Sequence, residues 1–115
     1  MRELAVRLQD ERRHALRVQT LTAGMSISGL SDDLKTFEAA VYNLAIIGEA
    51  VKFIPQEFRA IASEIPWRSI AGMRDLIVHA CWQIEPAEVL NISATEITPL
   101  LEAIDKLLLA ANSGS

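Results

Sequence analysis

The segment MRDLIVHACW, residues 73–82, places Arg74, Asp75, His79 and Cys81 in a stretch that is otherwise apolar apart from its last tryptophan. On an ideal helix turning about 100° per residue, Ile70, Met73, Ile77, Ala80, Cys81 and Ile84 form one stripe, and Arg68, Gly72, Asp75, His79 and Trp82 lie opposite. A histidine on the apolar stripe would read as a satisfied core residue; His79 falls on the other side. There an imidazole can exchange protons near neutral pH. Asp75 precedes it by one helical turn, a spacing at which a carboxylate can hydrogen-bond an imidazole, orient it and favour its charged form; the alternative is a surface ion pair of little consequence. Gly72, one turn earlier, leaves room for a ligand or another backbone, or is ordinary helix packing at about 1 kcal/mol relative to alanine. Trp82 on a polar face is either an interface residue or is covered by the chain's own last helix.

Arg74 borders the apolar stripe, about 140° round the axis from His79. One helix does not aim both at a small substrate, but a two-fold axis bringing this helix against its copy lines one composite cleft with both. Other chemistries fit poorly. With two histidines and one cysteine far apart in sequence, no zinc ligand set is visible and no metal is expected. GMSISG lacks the lysine of a phosphate loop. A Cys81–His79 nucleophile pair also fits poorly, since residues two apart lie about 200° apart on a helix, and Cys81 reads better as a small buried apolar residue.

The elements that position these residues are all helical. Half of the 115 residues are hydrophobic and 23% are charged, a globular composition, and no sustained two-residue alternation occurs. A first helix is expected over about residues 2–22, with Leu4, Leu8, Ala15 and Val18 inward and Asp10, Arg13, His14 and Arg17 outward. TAGMSISGLSDD reads as a connection, with Ser31 or Asp32 as N-cap. The second helix, about 32–53, is apolar almost all round except for a strip holding Glu38, Tyr42, Glu49 and Lys52, so it is expected at the centre or against another subunit. A short helix follows at about 56–63. Pro66 opens a third long helix reaching about 83, and a last one runs from Pro86 to about 110, kinked or restarted at Pro99. One domain over 1–111 with a flexible tail at 112–115 is expected.

The net charge of -4 argues against strong nonspecific nucleic-acid binding without excluding a local basic site. The single cysteine, the charged start and the lack of any run of about 18 apolar residues lead to the expectation of a cytoplasmic protein with no membrane association.

TAGMS, IIGEAVKFIP and EIPWRSIAGMRDLIVH, in this order and at similar spacing, resemble the HepT-like branch of the HEPN superfamily over about residues 20–108. Arg74, Asp75 and His79 match its motif of arginine, polar residue, three residues, histidine. The resemblance implies an up-and-down bundle of four to five helices that forms a homodimer around the motif helix. It also implies a toxin that cleaves RNA without metal or other cofactor, encoded beside MntA, a minimal nucleotidyltransferase antitoxin. In that family a tyrosine modified by the antitoxin stands two residues after the histidine; here the position is Cys81. Under this reading His79 is the general acid or base and Arg74 stabilises charge on the scissile phosphate. Asp75 orients His79, and Glu49, Asn43, Gly72, Arg68 and Trp82 shape the pocket. Asn43, among Ala39, Ile47 and Ala50, reads equally as a buried amide bonded to a neighbouring helix, and Glu49 as an interface residue. The alternative to an enzyme is a catalytically weakened HEPN dimer that survives as a nucleotidyltransferase's binding partner.

Overall fold

The computed structural model describes residues 2–80 and 84–113. Its regular elements are all helical: α1 Arg2–Thr22, α2 Ile27–Ser31, α3 Leu34–Val51, α4 Gln56–Arg59, α5 Trp67–Ala80, α6 Pro86–Ile92 and α7 Thr98–Ser113. The expectations for Cys81 and Trp82 lie outside the described residues. Among the described residues no helix is long and apolar enough to cross a membrane.

α3 packs between α1 and α5, while α1 also packs along α7. The shared core is built from the stripes the periodicity marks. Leu8 and Val18 of α1, Leu44, Ile47 and Val51 of α3, Ile70 of α5 and Leu100, Ile104 and Leu107 of α7 are essentially inaccessible. Each such side chain stabilises the fold by about 1.5–3 kcal/mol relative to exposure. Consistent with its sequence, α3 is the most apolar long helix, and its exposed strip holds Glu38, Tyr42, Glu49 and Lys52.

Several boundaries differ from the sequence expectation, each for a local reason. The segment expected as a plain connection contains α2, a single turn capped by Ser26, whose Oγ accepts from Gly29 N at 2.9 Å. α3 starts later than expected because Asp33 caps it, accepting from Thr36 N at 3.2 Å and Thr36 Oγ1 at 2.7 Å. Both oxygens are used, which holds the Asp33 carboxyl below its usual range. The last helix restarts where Pro99 marks it: α6 ends at Ile92, and α7 begins at Thr98 with Pro99 in its first turn. A π-helical turn at Ser93–Ile97 joins α6 to α7. α7 then continues through Ser113, whose Oγ donates to Ala110 O at 3.3 Å, into the segment expected as a tail.

The start of α5 is set by two side chains at the α3–α4 corner. Arg59 donates from Nε to Ile54 O at 2.9 Å and from Nη2 to Val51 O at 3.0 Å, satisfying carbonyls at the end of α3. Trp67, buried at the first turn of α5, donates from Nε1 to Ala62 O at 3.0 Å. These bonds fix where α5 emerges, and hence where Arg74 and His79 stand.

Candidate active site

α3 and α5 cross at Gly48. A Cβ there would lie 2.9 Å from both Arg74 N and Ile70 O, closer than real Cβ contacts allow and against backbone rather than flexible side chain. The missing methyl therefore lets α5 seat its backbone on α3 at the residue that carries the guanidinium. Gly72, which the sequence suggested for close approach, does not serve that purpose within the chain: it is exposed, with nothing within 4 Å of an added Cβ.

The crossing builds a cycle of charges. Arg74 Nη1 donates to Asp75 Oδ1 at 3.2 Å, and its Nε lies 3.3 Å from Glu49 Oε2 on α3. Lys52 Nζ sits 3.6 Å from the same Glu49 oxygen and 3.7 Å from Asp75 Oδ1. All four side chains are partly exposed, so each pair contributes little to stability; their effect is to orient the guanidinium from two helices. The Arg74 hydrogen bond, then the Lys52 charge, hold the Asp75 carboxyl below the usual carboxylate range. His79 stands in the last turn of α5, exposed. Asp75 is thus turned toward Arg74 and Lys52, and among the described residues it makes no hydrogen bond with His79.

The remaining candidates separate. Arg68 is exposed near the start of α5. Asn43 faces α1 rather than α5: its Nδ2 donates to Ala39 O at 2.8 Å and its Oδ1 lies 2.8 Å from His14 Nδ1. Since Oδ1 can only accept, His14 carries a proton on Nδ1. Asn43 is buried and ties α3 to α1, the buried-amide alternative of the sequence reading. His14, expected to face outward, is half-buried by this bond. Lys52 and Gly48 are the site residues that sequence reasoning passed over. In the sequence Lys52 shares the polar strip of Glu49, and that shared strip is the available signal. Among the described residues no group of three or more His, Cys, Asp or Glu side chains could hold a metal ion.

Gly48→Ala provides a direct check on the crossing. Alanine gains about 1 kcal/mol of helix propensity, but overpacking against backbone costs about 1–3 kcal/mol. Net destabilisation of up to about 2 kcal/mol is expected in chemical denaturation. A stabilised variant would show that the helices part at no cost.

The all-helical bundle, with an arginine and a histidine five residues apart on α5, is the architecture of a HEPN-type helical domain. The family described as Ribonuclease HepT-like matches residues 12–107, and the chain belongs to it. A protein of Thermococcus cleftensis named "Probable ribonuclease HepT" is 39% identical over 75 residues, 65% of this chain and 68% of that protein. One of Caldanaerobacter subterraneus subsp. tengcongensis, named "Putative RNase TTE0752", is 36% identical over 85 residues, covering 74% of this chain and 76% of its own. No solved structure matches.

Proposed function

We propose that this protein is a ribonuclease of the HEPN type that cleaves RNA at a cleft formed where two copies bring their α5 helices together, and that it acts as the toxin of a HepT/MntA-type pair. The observation that supports this best is the pairing of an oriented guanidinium at Arg74 with an exposed imidazole at His79 on the same helix. In the reaction the RNA's 2′-oxygen, losing its proton to one His79, attacks the adjacent phosphorus. The P–O5′ bond breaks, and the leaving oxygen takes a proton from the imidazolium of the other copy, leaving a 2′,3′-cyclic phosphate. Arg74 neutralises charge on the non-bridging oxygens through its forked donors.

The dimer is supported by large apolar side chains left open on the two helices concerned: Leu76 and Val78 of α5 are 50% exposed, Leu34 and Tyr42 of α3 64% and 66%. A second copy would cover such a surface. The proposed antitoxin is an MntA-like minimal nucleotidyltransferase that binds the dimer. Tyr42, the chain's single tyrosine, lies on α3, so the inhibition expected is by binding.

The test combines sedimentation with cleavage of total RNA by the purified protein in chelator, alongside growth on induction. Expected are a dimer at micromolar concentration, growth arrest, and fragments ending in cyclic phosphate, with no cleavage of strands lacking the 2′-hydroxyl. A stable monomer would remove the composite cleft. The second reading, a binding module without activity, is favoured by one feature: Glu49 and Asp75 already engage Arg74 within the chain. An inert dimer that still binds a nucleotidyltransferase would establish that reading instead.

A further inference from the structure

On the other side of α3 from Arg74, the structure has an open concavity of about 710 Å³ that the site described above does not use. Its floor is apolar, with Leu16 and Leu21 of α1. Its walls include Arg12, Arg13 and Arg17 of the same helix, and Ala39 and Asn43 form its edge on α3. The surrounding charge is unusual for this chain. Five of its eleven basic residues lie on α1, against three of its fifteen acidic ones. Of those three, Glu11 is 2% exposed and presents no charge at the surface. At the concavity itself three arginines meet two acidic partners, Asp10 on Arg13 and Asp105 on Arg12, so this face of an acidic protein keeps a local excess of positive charge.

We propose that this α1 face is a second RNA contact, a groove in which Arg13 and Arg17 take phosphates of the single strand flanking the cleaved bond. The inference rests on the ribonuclease reading and adds to it where the rest of the substrate lies. The guanidinium groups are available for exchange. Arg13 pairs with Asp10 one turn away, and both side chains are more than half exposed; a solvent-screened pair of that kind is weak and gives way to a phosphate. Arg17 is exposed and makes no ion pair among the described residues. Arg12 is held by Asp105 of α7 at 3.0 Å and serves as a fixed wall. The hydrogen bond between Asn43 and His14 at the α3 edge keeps the two helices in register beneath the groove. Arginines spaced along a helix suit a flexible backbone, and a preference for length rather than sequence follows.

The test uses the full chain with His79→Ala, so that bound RNA is not cut, titrated with a labelled single strand by fluorescence anisotropy over a range of salt concentrations. Adding Arg13→Gln and Arg17→Gln together should make the dependence of log K on log salt shallower by about 1.4, the contribution of two single-strand phosphate contacts, and weaken binding roughly tenfold. With His79 restored, the same pair should leave cleavage of a dinucleotide unchanged. Lys35→Gln with Lys106→Gln, an equal loss of charge on other helices, should alter neither slope nor affinity. Unchanged binding in the arginine pair, or the same loss in the lysine pair, would overturn the groove. If the parent protein, still fully helical, neither binds nor cuts RNA, the ribonuclease reading itself fails and takes the groove with it, before any arginine has been changed.

Discussion

His79→Ala is expected to slow RNA cleavage by about 10²- to 10⁴-fold, the usual contribution of a positioned proton-transfer group, while leaving the melting curve unchanged. Both halves of this expectation come from one placement. His79 is exposed on α5, so truncating it leaves no cavity and no orphaned partner among the described residues. Arg74→Ala should also lower cleavage, by about 10²- to 10³-fold if it acts as the phosphate's charge-stabilising donor, but with a structural side effect. Its removal leaves Glu49, Asp75 and Lys52 to rearrange at the α3–α5 crossing. Arg74→Lys separates the two roles, since lysine keeps the charge and loses the fork. Its activity should fall between wild type and alanine. The measurement is single-turnover cleavage of a defined RNA with thermal melts on the same samples. Full activity in His79→Ala would remove the imidazole from the mechanism.

The motif helix was legible in the sequence because its chemistry sits on the wrong side of a clean period. Ile70 and Met73 are buried where the stripe puts them, and Arg68, Asp75 and His79 are exposed opposite. The partners of Arg74 were only half legible. Glu49 and Lys52 were visible as a polar strip on an apolar helix, but which neighbour that strip would meet depends on how α3 and α5 cross. The crossing point, Gly48, reads in sequence as one more small residue of an apolar helix; only the 2.9 Å approach to Arg74 N and Ile70 O gives it meaning. α2 escaped because five residues are too few to show a period. The π turn escaped because proline announces a disturbance without saying how it is resolved.

A second large effect is expected at Glu11, and it concerns stability. Glu11 lies on the same stripe as Leu4, Leu8, Ala15 and Val18 and is 2% exposed, and neither carboxylate oxygen has a hydrogen-bond partner among the described residues. Burial pushes its pKa from 4.5 up to about 8. The folded protein therefore holds a proton that the unfolded chain releases once the pH exceeds 4.5. Between these values unfolding liberates a proton, so stability falls as pH rises, by about 1.4 kcal/mol per pH unit. No penalty exists below the lower value, and none is added above the upper one, where the carboxyl is ionised in both states. At pH 7 the loss is on the order of 3 kcal/mol, a large share of the roughly 5–15 kcal/mol available to a domain. Glu11→Gln, uncharged at every pH, should match the wild type near pH 4.5 and exceed it by about 3 kcal/mol near pH 7. Glu11→Leu should be more stable than both even in mild acid, because it also removes an unpartnered buried polar group costing about 1–3 kcal/mol. Urea unfolding of the three proteins across this pH range, at one protein concentration so that any self-association is held fixed, measures the difference directly. Parallel curves for wild type and Glu11→Gln would mean that the carboxyl is ionised and satisfied in the folded protein, by water or by a second copy.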